Sequence, residues 1–287
     1  MRAGYFGPEG TNTHEALLAD TAGVGLDTVP LPTIYDTVMA VHDGTVDIAM
    51  VPIENSLEGS VNATLDALAM DTDDVMIVGE VVLPIRHCLI ARTSLELSEI
   101  ETVVSHPQAN AQCARFIRTQ LPKARVLAGS STADAVRVVA DHDGPWAALG
   151  NRLAAELYEC VVLRADVEDV ADNETRFVWL ARGGAAPGGP RVLASGSPPQ
   201  GPWKTAVVFW GAGSEAPGWL VACLSEFAER GVNLTRIESR PRKQGLGRYM
   251  FFVDMEGHEE DGAVAAALAG LRGHVERLKV LGSHPAA

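Results

Sequence analysis

The polar residues most able to do chemistry sit in short clusters at the ends of apolar runs. Asn173-Glu174-Thr175-Arg176-Phe177 opens one such run, and supplies a hydroxyl donor at Thr175 and a permanent cation at Arg176. Thr175 suits equally well a plain strand position for a β-branched residue. Val51-Pro52-Ile53-Glu54-Asn55-Ser56 ends an earlier run in polar groups, with Gly59 and Thr64 following. Asn55 can both donate and accept hydrogen bonds; a cap or turn role for Asn55 and Ser56 is the rival reading. Ser105-His106-Pro107-Gln108 repeats the design, with Pro107 fitting a first helical turn and Gln112 further along the same helix. Ser105 also suits an N-cap, and a lone His106 beside proline is more often structural than a general base. Gly7-Pro8-Glu9-Gly10-Thr11 joins a strand to a helix. There the glycines admit close backbone approach and the helix start offers unpaired N–H groups to a carboxylate, or the segment is a simple tight turn. Ser130-Ser131-Thr132 opens another helix and could hold an anion by the same physics.

The elements that must position these clusters follow from hydrophobic pattern. Gly4–Phe6, Asp47–Ile53, Val75–Leu83, Cys88–Ala91, Thr102–Ser105, Ala124–Ala128 and Val161–Ala165 read as strands, and His14–Ala19, Thr33–Val41, Val61–Met70, Pro107–Leu121 and Thr132–Ala140 as helices. The alternation predicts α/β layers, and its fresh start near residue 84 predicts two lobes with a cleft between them. Residues 181–202, rich in Gly, Pro, Ala and Ser, read as a linker. Beyond it, Thr205–Trp210, Leu220–Arg230, Leu234–Ser239, Tyr249–Met255, Gly262–Leu271 and Val275–Leu281 give the order βαββαβ of a ferredoxin-like unit.

Composition narrows the function. Among 287 residues, 23 Lys plus Arg stand against 37 Asp plus Glu, a formal charge of −14. That balance disfavours nucleic acid and anionic membranes as partners, because phosphate surfaces need clustered cations. It leaves room for a small anionic substrate. No apolar run is long enough to span a bilayer, and the first residues lack a secretory core, so a cytoplasmic protein is expected. The four cysteines form no C-x-x-C pair and the eight histidines no H-E-x-x-H or H-x-x-x-H pair, so no metal site is expected.

Together these blocks resemble prephenate dehydratase with a C-terminal ACT regulatory domain. The likeness runs over residues 3–282. It rests on GPEGT (7–11), VPIENS (51–56) with Gly59 and Thr64, SHPQ (105–108) with Gln112-Cys113, Ser131-Thr132, NETRF (173–177) and NLTRIESRP (233–241). The resemblance implies a two-lobed, periplasmic-binding-protein-like catalytic region over 1–182, its second lobe near 84–165. It further implies a linker over 183–202 and a ferredoxin-like ACT domain over 203–284. The implied reaction is decarboxylative dehydration of prephenate to phenylpyruvate in phenylalanine biosynthesis, a carbon–oxygen lyase (hydro-lyase) step with no cofactor and no metal.

The resemblance assigns catalysis to Thr175, Asn55, Ser105 and Gln112. Substrate binding goes to Gly10, Thr11, Glu54, Ser56, His106, Thr132, Arg176 and Phe177. Phenylalanine is the implied effector, bound by Gly218, Trp219, Leu220, Asn233, Leu234, Glu238, Ser239, Arg240 and Pro241, in a homodimer or homotetramer. Two departures stand out. Asn12 replaces the usual Phe after Gly-Thr, and Gly218-Trp219-Leu220-Val221 replaces a Gly-Ala-Leu stretch. Rival readings are arogenate dehydratase, a non-aromatising prephenate decarboxylase and, from another class, a non-enzymatic ACT-coupled sensor. The VPIENS and TRF blocks favour dehydration.

Overall fold

The computed structural model describes residues 1–185, 188–190, 201–211 and 216–287; most of the expected linker, at 186–187 and 191–200, lies outside the described residues. The chain opens with β1 (Arg2–Phe6), α1 (Asn12–Asp20), β2 (Asp27–Leu31), α2 (Ile34–His42), β3 (Ile48–Asn55), the two-residue β4 (Gly59–Ser60) and α3 (Asn62–Asp66). A single π-helical turn, Ala67–Asp71, extends α3 before β5 (Val75–Pro84). The chain then crosses into a second layer: β6 (Cys88–Ala91), β7 (Thr102–Ser105), α4 (Pro107–Gln112), α5 (Ala114–Gln120), β8 (Arg125–Ala128), α6 (Thr132–Ala140), β9 (Trp146–Gly150), α7 (Arg152–Leu157) and β10 (Val161–Arg164). It returns to the first layer as β11 (Glu174–Arg182).

Two sheets result, ordered β2-β1-β3-β11-β5 and β10-β6-β9-β7-β8, with β4 paired to β3. In each, parallel strands (β2, β1, β3; β9, β7, β8) are joined by antiparallel neighbours that carry the chain between layers. This is the two-lobed α/β arrangement of a periplasmic binding protein. The two crossings lie side by side: Ile85 N–H donates to Asn173 O (2.7 Å) and Val167 N–H to His87 O (2.9 Å).

Local chemistry explains most element ends. Thr11, Ser131 and Asn151 cap α1, α6 and α7, each side chain accepting from the N–H three residues on. The predicted helix over 107–121 is broken at Cys113, whose backbone leaves the helical region. β2 was invisible to the pattern: it carries Pro30, lies at the sheet edge and is largely exposed, so it lacks apolar alternation.

The C-terminal unit comprises β12 (Trp203–Trp210), α8 (Trp219–Ala228), β13 (Leu234–Pro241), β14 (Tyr249–Glu256), α9 (Gly262–Arg272) and β15 (Arg277–Pro285), with antiparallel order β13-β14-β12-β15. The central strands of its sheet are buried on both faces. Val207, Phe209, Val253 and Met255 pack under α8 and α9, while Ala206, Val208, Met250, Phe252 and Leu281 join the core of the first lobe beside Leu65, Val178 and Leu180. β15 meets β5 so closely that a Cβ on Gly282 would fall 2.1 Å from the Ile77 carbonyl oxygen. Among the described residues no helix is long and apolar enough to cross a membrane.

One ion cluster ties this sheet to β11. The Arg176 guanidinium reaches Asp254 (2.6 Å), Glu54 (3.0 Å) and Glu80 (3.1 Å); Asp254 also pairs with Arg236 (2.9 Å), and Glu80 with Lys204 (2.6 Å). Burial drives the Asp254 carboxyl upward, but the two guanidiniums hold it below the ordinary carboxylate range. Removing Arg176 would leave two carboxylates that are each 2% exposed with one cation apiece, Asp254 with Arg236 and Glu80 with Lys204. Arg176→Ala is expected to lower unfolding free energy by about 3–5 kcal/mol in urea titrations, the usual cost of breaking a buried pair from one side. A loss under about 1 kcal/mol would show the cluster to be dispensable.

Candidate active site

The cleft between the lobes encloses about 300 Å³. Its floor is set by strand register. β11 pairs antiparallel with β3 so that Thr175 lies opposite Asn55 and Arg176 opposite Glu54. Alternation then separates the two pairs: Thr175, Phe177 and Asn55 line the cleft, while Arg176 and Glu54 point to the C-terminal sheet.

Hydrogen bonding fixes the polarity of the floor. The Leu57 and Glu58 backbone N–H groups both donate to Asn55 Oδ1 (3.0 Å each). Asn55 must therefore present its NH₂ group on the other side, where Asn173 Oδ1 (2.7 Å), Thr175 Oγ1 (2.9 Å) and the Glu174 carbonyl (3.1 Å) accept from it. An amide nitrogen cannot accept, so Thr175 Oγ1 is the acceptor here and its own proton is not used. No other described residue takes that proton, and Thr175 faces the cleft. With its oxygen committed to Asn55, Asn173 turns its Nδ2 to Gln112 Oε1 (3.3 Å). Gln112 Nε2 reaches across to Glu58 Oε1 (3.3 Å), which fixes the same orientation independently.

The walls are helix starts. Thr11, Asn12 and Thr13 at α1, Ser131 and Thr132 at α6, and His106 at α4 all face the cleft. N–H groups in a first helical turn have no partner within the helix, and the macrodipole is positive there. No Lys or Arg is among the lining residues. Asn12 carries the departure noted above: its Oδ1 accepts from Asn151 of the second lobe (3.1 Å), so it ties the lobes together at the mouth. Gly10 sits behind this wall at φ +83°, where a Cβ would come within 3.2 Å of Ala154 across the cleft; its N–H donates to His14 Nδ1. His14 is kept neutral by burial, which lowers its pKa.

The structure thus brings Thr11, Asn55, His106, Gln112, Thr132, Thr175 and Phe177 together in one cleft. It places the other expected residues elsewhere. Arg176 and Glu54 are corrections: they occupy the opposite face of their strands and form the interdomain cluster, because neighbours on a strand point opposite ways. Ser105 is fully buried and donates its hydroxyl to the Leu149 carbonyl (2.6 Å), stitching β7 to β9. Ser56 accepts from the Glu174 N–H (2.9 Å) and is exposed, a clasp between strand ends rather than a ligand. Gly10 shapes the wall without lining it. Two further cleft-lining positions escaped the sequence reading. Asn173 lay in a quoted motif but was not singled out. His87 carried only a weak signal: a polar residue between two apolar runs, at the point where the chain changes lobes.

Residues 3–185 match the family described as Prephenate dehydratase, and 216–273 match the ACT domain. The chain belongs to the prephenate dehydratase family. A prephenate dehydratase of Amycolatopsis methanolica is 41% identical over 283 residues, covering 98% of this chain and 88% of that one. A prephenate dehydratase structure from Arthrobacter aurescens, solved in complex with L-Phe, superposes with a TM-score of 0.88 at 38% identity, covering 100% of this chain and 90% of that one. A structure of a quorum-quenching acylase superposes with a TM-score of 0.84 at 31% identity, covering 100% and 98%.

In this family member the nine residues expected around an effector do not converge within one chain. Gly218, Trp219 and Leu220 line a shallow hollow of about 200 Å³ with Tyr249 and Phe251. Trp219 turns inward: its indole N–H donates to the His274 carbonyl (2.7 Å) and its ring packs against Phe209 and Phe251. On β13, Glu238 and Arg240 are corrections, since they face the catalytic region. Glu238 accepts from Ser60 (3.2 Å) and Arg240 grips Asp66 (3.0 Å). Ser239 is exposed on the other face of the same strand, Pro241 is exposed at its end, and Asn233 and Leu234 lie at its start.

Proposed function

We propose that this chain is a prephenate dehydratase with residues 1–182 as its catalytic region, the second lobe near 84–165, and 203–284 as its ACT domain. Residues 183–202 are the linker between them. It releases water and CO₂ from prephenate, giving phenylpyruvate on the route to phenylalanine. As a hydro-lyase it acts without a metal or an organic cofactor. The electron pair of the ring carbon–carboxylate bond moves into the ring, releasing CO₂, the ring becomes aromatic, and the C–O bond to the hydroxyl breaks; the departing hydroxyl takes up one proton from solvent and leaves as water.

The observation that carries this reading is the donor polarity at Thr175, whose Oγ1 accepts from Asn55 and leaves its O–H for the cleft. A threonine hydroxyl is too weak an acid to surrender its proton outright, so Thr175 serves as a positioned donor to the leaving oxygen. Asn55 aims it, and Gln112 and Asn173 extend the polar floor. With Arg176 turned away, the two substrate carboxylates are left to the first turns of α1 and α6 and to His106. Apolar Phe6, Ile34, Val61 and Ile85 on the lining desolvate the ring carboxylate, which favours CO₂ loss.

Amide hydrolysis, the chemistry of the acylase relative, calls for a nucleophile beside a base. Here the Ser105 proton is held by a carbonyl, and the partner of Thr175 is an amide NH₂ group. Dehydration fits this set better. Phenylalanine is the proposed effector, on the strength of the ACT match and of the related structure solved with L-Phe. A homodimer or homotetramer is proposed on the exposed edge strand β13. Ile237 there and Tyr249 on β14 are each more than two-fifths exposed on one sheet face. No nucleic acid or membrane partner is proposed, and the expected place is the cytoplasm.

Incubation with prephenate and with arogenate, followed by absorbance of the product, tests the reaction. Phenylpyruvate is expected from prephenate, whereas a dihydro product would identify a non-aromatising decarboxylase. In the same assay Thr175→Ala should keep its fold and its affinity for prephenate but lose roughly 10²- to 10³-fold in kcat, the effect of removing one donor aimed at developing charge. A near-normal kcat would remove Thr175 from the mechanism. Calorimetry on the intact chain should detect phenylalanine binding, with turnover falling at millimolar concentration. No heat and unchanged turnover would reject phenylalanine as effector.

A further inference from the structure

His87 is the one buried imidazole in the cleft lining, 3% exposed, and it stands where the chain crosses between lobes. Its backbone is fastened on both sides: the carbonyl accepts from Val167 N–H (2.9 Å), and the N–H donates to Glu168 Oε2 (2.9 Å). Its Nε2 lies 3.0 Å from Gln112 Oε1. The donor of that contact follows from the chain of amides. Leu57 and Glu58 N–H groups fix Asn55, Asn55 fixes Asn173, and Asn173 together with Glu58 fixes Gln112 with its oxygen toward His87. An amide oxygen only accepts, so His87 must carry a proton on Nε2.

We infer that His87 is a positioning residue of this site, clamping the Gln112 amide oxygen through an Nε2–H donor so that the Gln112 side chain, which lines the cleft, is held with its NH₂ group toward Glu58 of the first lobe. The inference rests on the dehydratase reading above and adds a residue to it. The clamp is two-sided: His87 and Asn173 both donate to Gln112 Oε1, one from each of the two crossing segments. Gln112 itself starts from the second lobe and reaches Glu58 of the first. Its amide is therefore held relative to the hinge, not merely to its own helix. Without His87 the amide keeps only its two longer bonds, 3.3 Å from Asn173 and 3.3 Å to Glu58, and is held less firmly in its place.

Two measurements test this on the intact chain. Long-range ¹H–¹⁵N spectra of histidine-labelled protein should show neutral His87 as the Nε2–H tautomer, its signals assigned by their loss in His87→Gln. A neutral His87 protonated on Nδ1 would overturn the inference, and this arm does not depend on any variant's activity. In steady-state kinetics on prephenate, His87→Leu should lower kcat roughly 10- to 100-fold with KM changed less than about threefold, as expected for a misplaced polar group. His87→Gln, which restores a donor, should return kcat to within roughly threefold of wild type. In a Gln112→Leu background, His87→Leu should cost less than about twofold more, because its partner is already gone. Independent, multiplicative losses would show His87 acting on the substrate itself and would overturn the positioning role, as would an unchanged kcat in His87→Leu. Wild-type turnover separates the two levels. No product from wild type refutes the dehydratase reading, whereas normal turnover with indifferent His87 variants refutes only the clamp.

Discussion

Two backbone N–H groups, those of Leu57 and Glu58, set the direction of every hydrogen bond on the floor of the cleft. Both point at Asn55 Oδ1. A backbone N–H can only donate, so the amide has no choice of orientation, and its NH₂ group must face Asn173 and Thr175. The order spreads in both directions. Toward β11 it turns Thr175 Oγ1 into an acceptor and leaves the hydroxyl proton pointing at whatever occupies the cleft. Toward the second lobe it orients Asn173, then Gln112, then His87. A side-chain network with a free choice of rotamers would divide its population between donor and acceptor states. This one is pinned to the main chain at one end and to the hinge at the other, which is the form of preorganisation that lowers a barrier without reorganising during the reaction.

The same strand serves the cleft and the domain behind it. Thr175 and Arg176 are neighbours on β11, and the pleat sends one to the substrate side and the other into a buried ion cluster with Asp254 of the C-terminal sheet. Asp254 is shared with Arg236 on β13, whose next inward residues, Glu238 and Arg240, hold Ser60 and Asp66 of the first lobe. A shift of β13 relative to the catalytic region is thus felt one residue from the proposed donor. Such contiguity is a physical route for coupling, although energetic coupling is a property of two states and not of a path.

Much of this was legible in the sequence because strand ends advertise themselves. Asn55 and Thr175 end or begin apolar runs, and helix starts at Thr11 and Ser131 show their caps, so the cleft and its polar lining could be anticipated. Which side of a strand a residue takes could not. Arg176 looked like an anion ligand since it adjoins Thr175, yet period-two alternation puts it behind the sheet; its partner Asp254 lies 78 residues away and no local signal marks it. Ser105 likewise adjoins the cleft in sequence but is consumed by a neighbouring strand's carbonyl. His87 was missed for the converse reason: its partner Gln112 is 25 residues distant, and a single histidine between two strands carries no spacing. β2 and the break at Cys113 were hidden because edge exposure and a local change of backbone leave the hydrophobic period almost untouched.

Neutron diffraction from a deuterated crystal of the intact chain tests the central claim directly, because it locates the protons that assign every donor. The account predicts the two Asn55 Nδ2 deuterons directed toward Asn173 and Thr175, and the Thr175 deuteron directed into the cleft. A deuteron on Thr175 pointing back at an Asn55 oxygen would reverse the polarity of the floor and contradict the account.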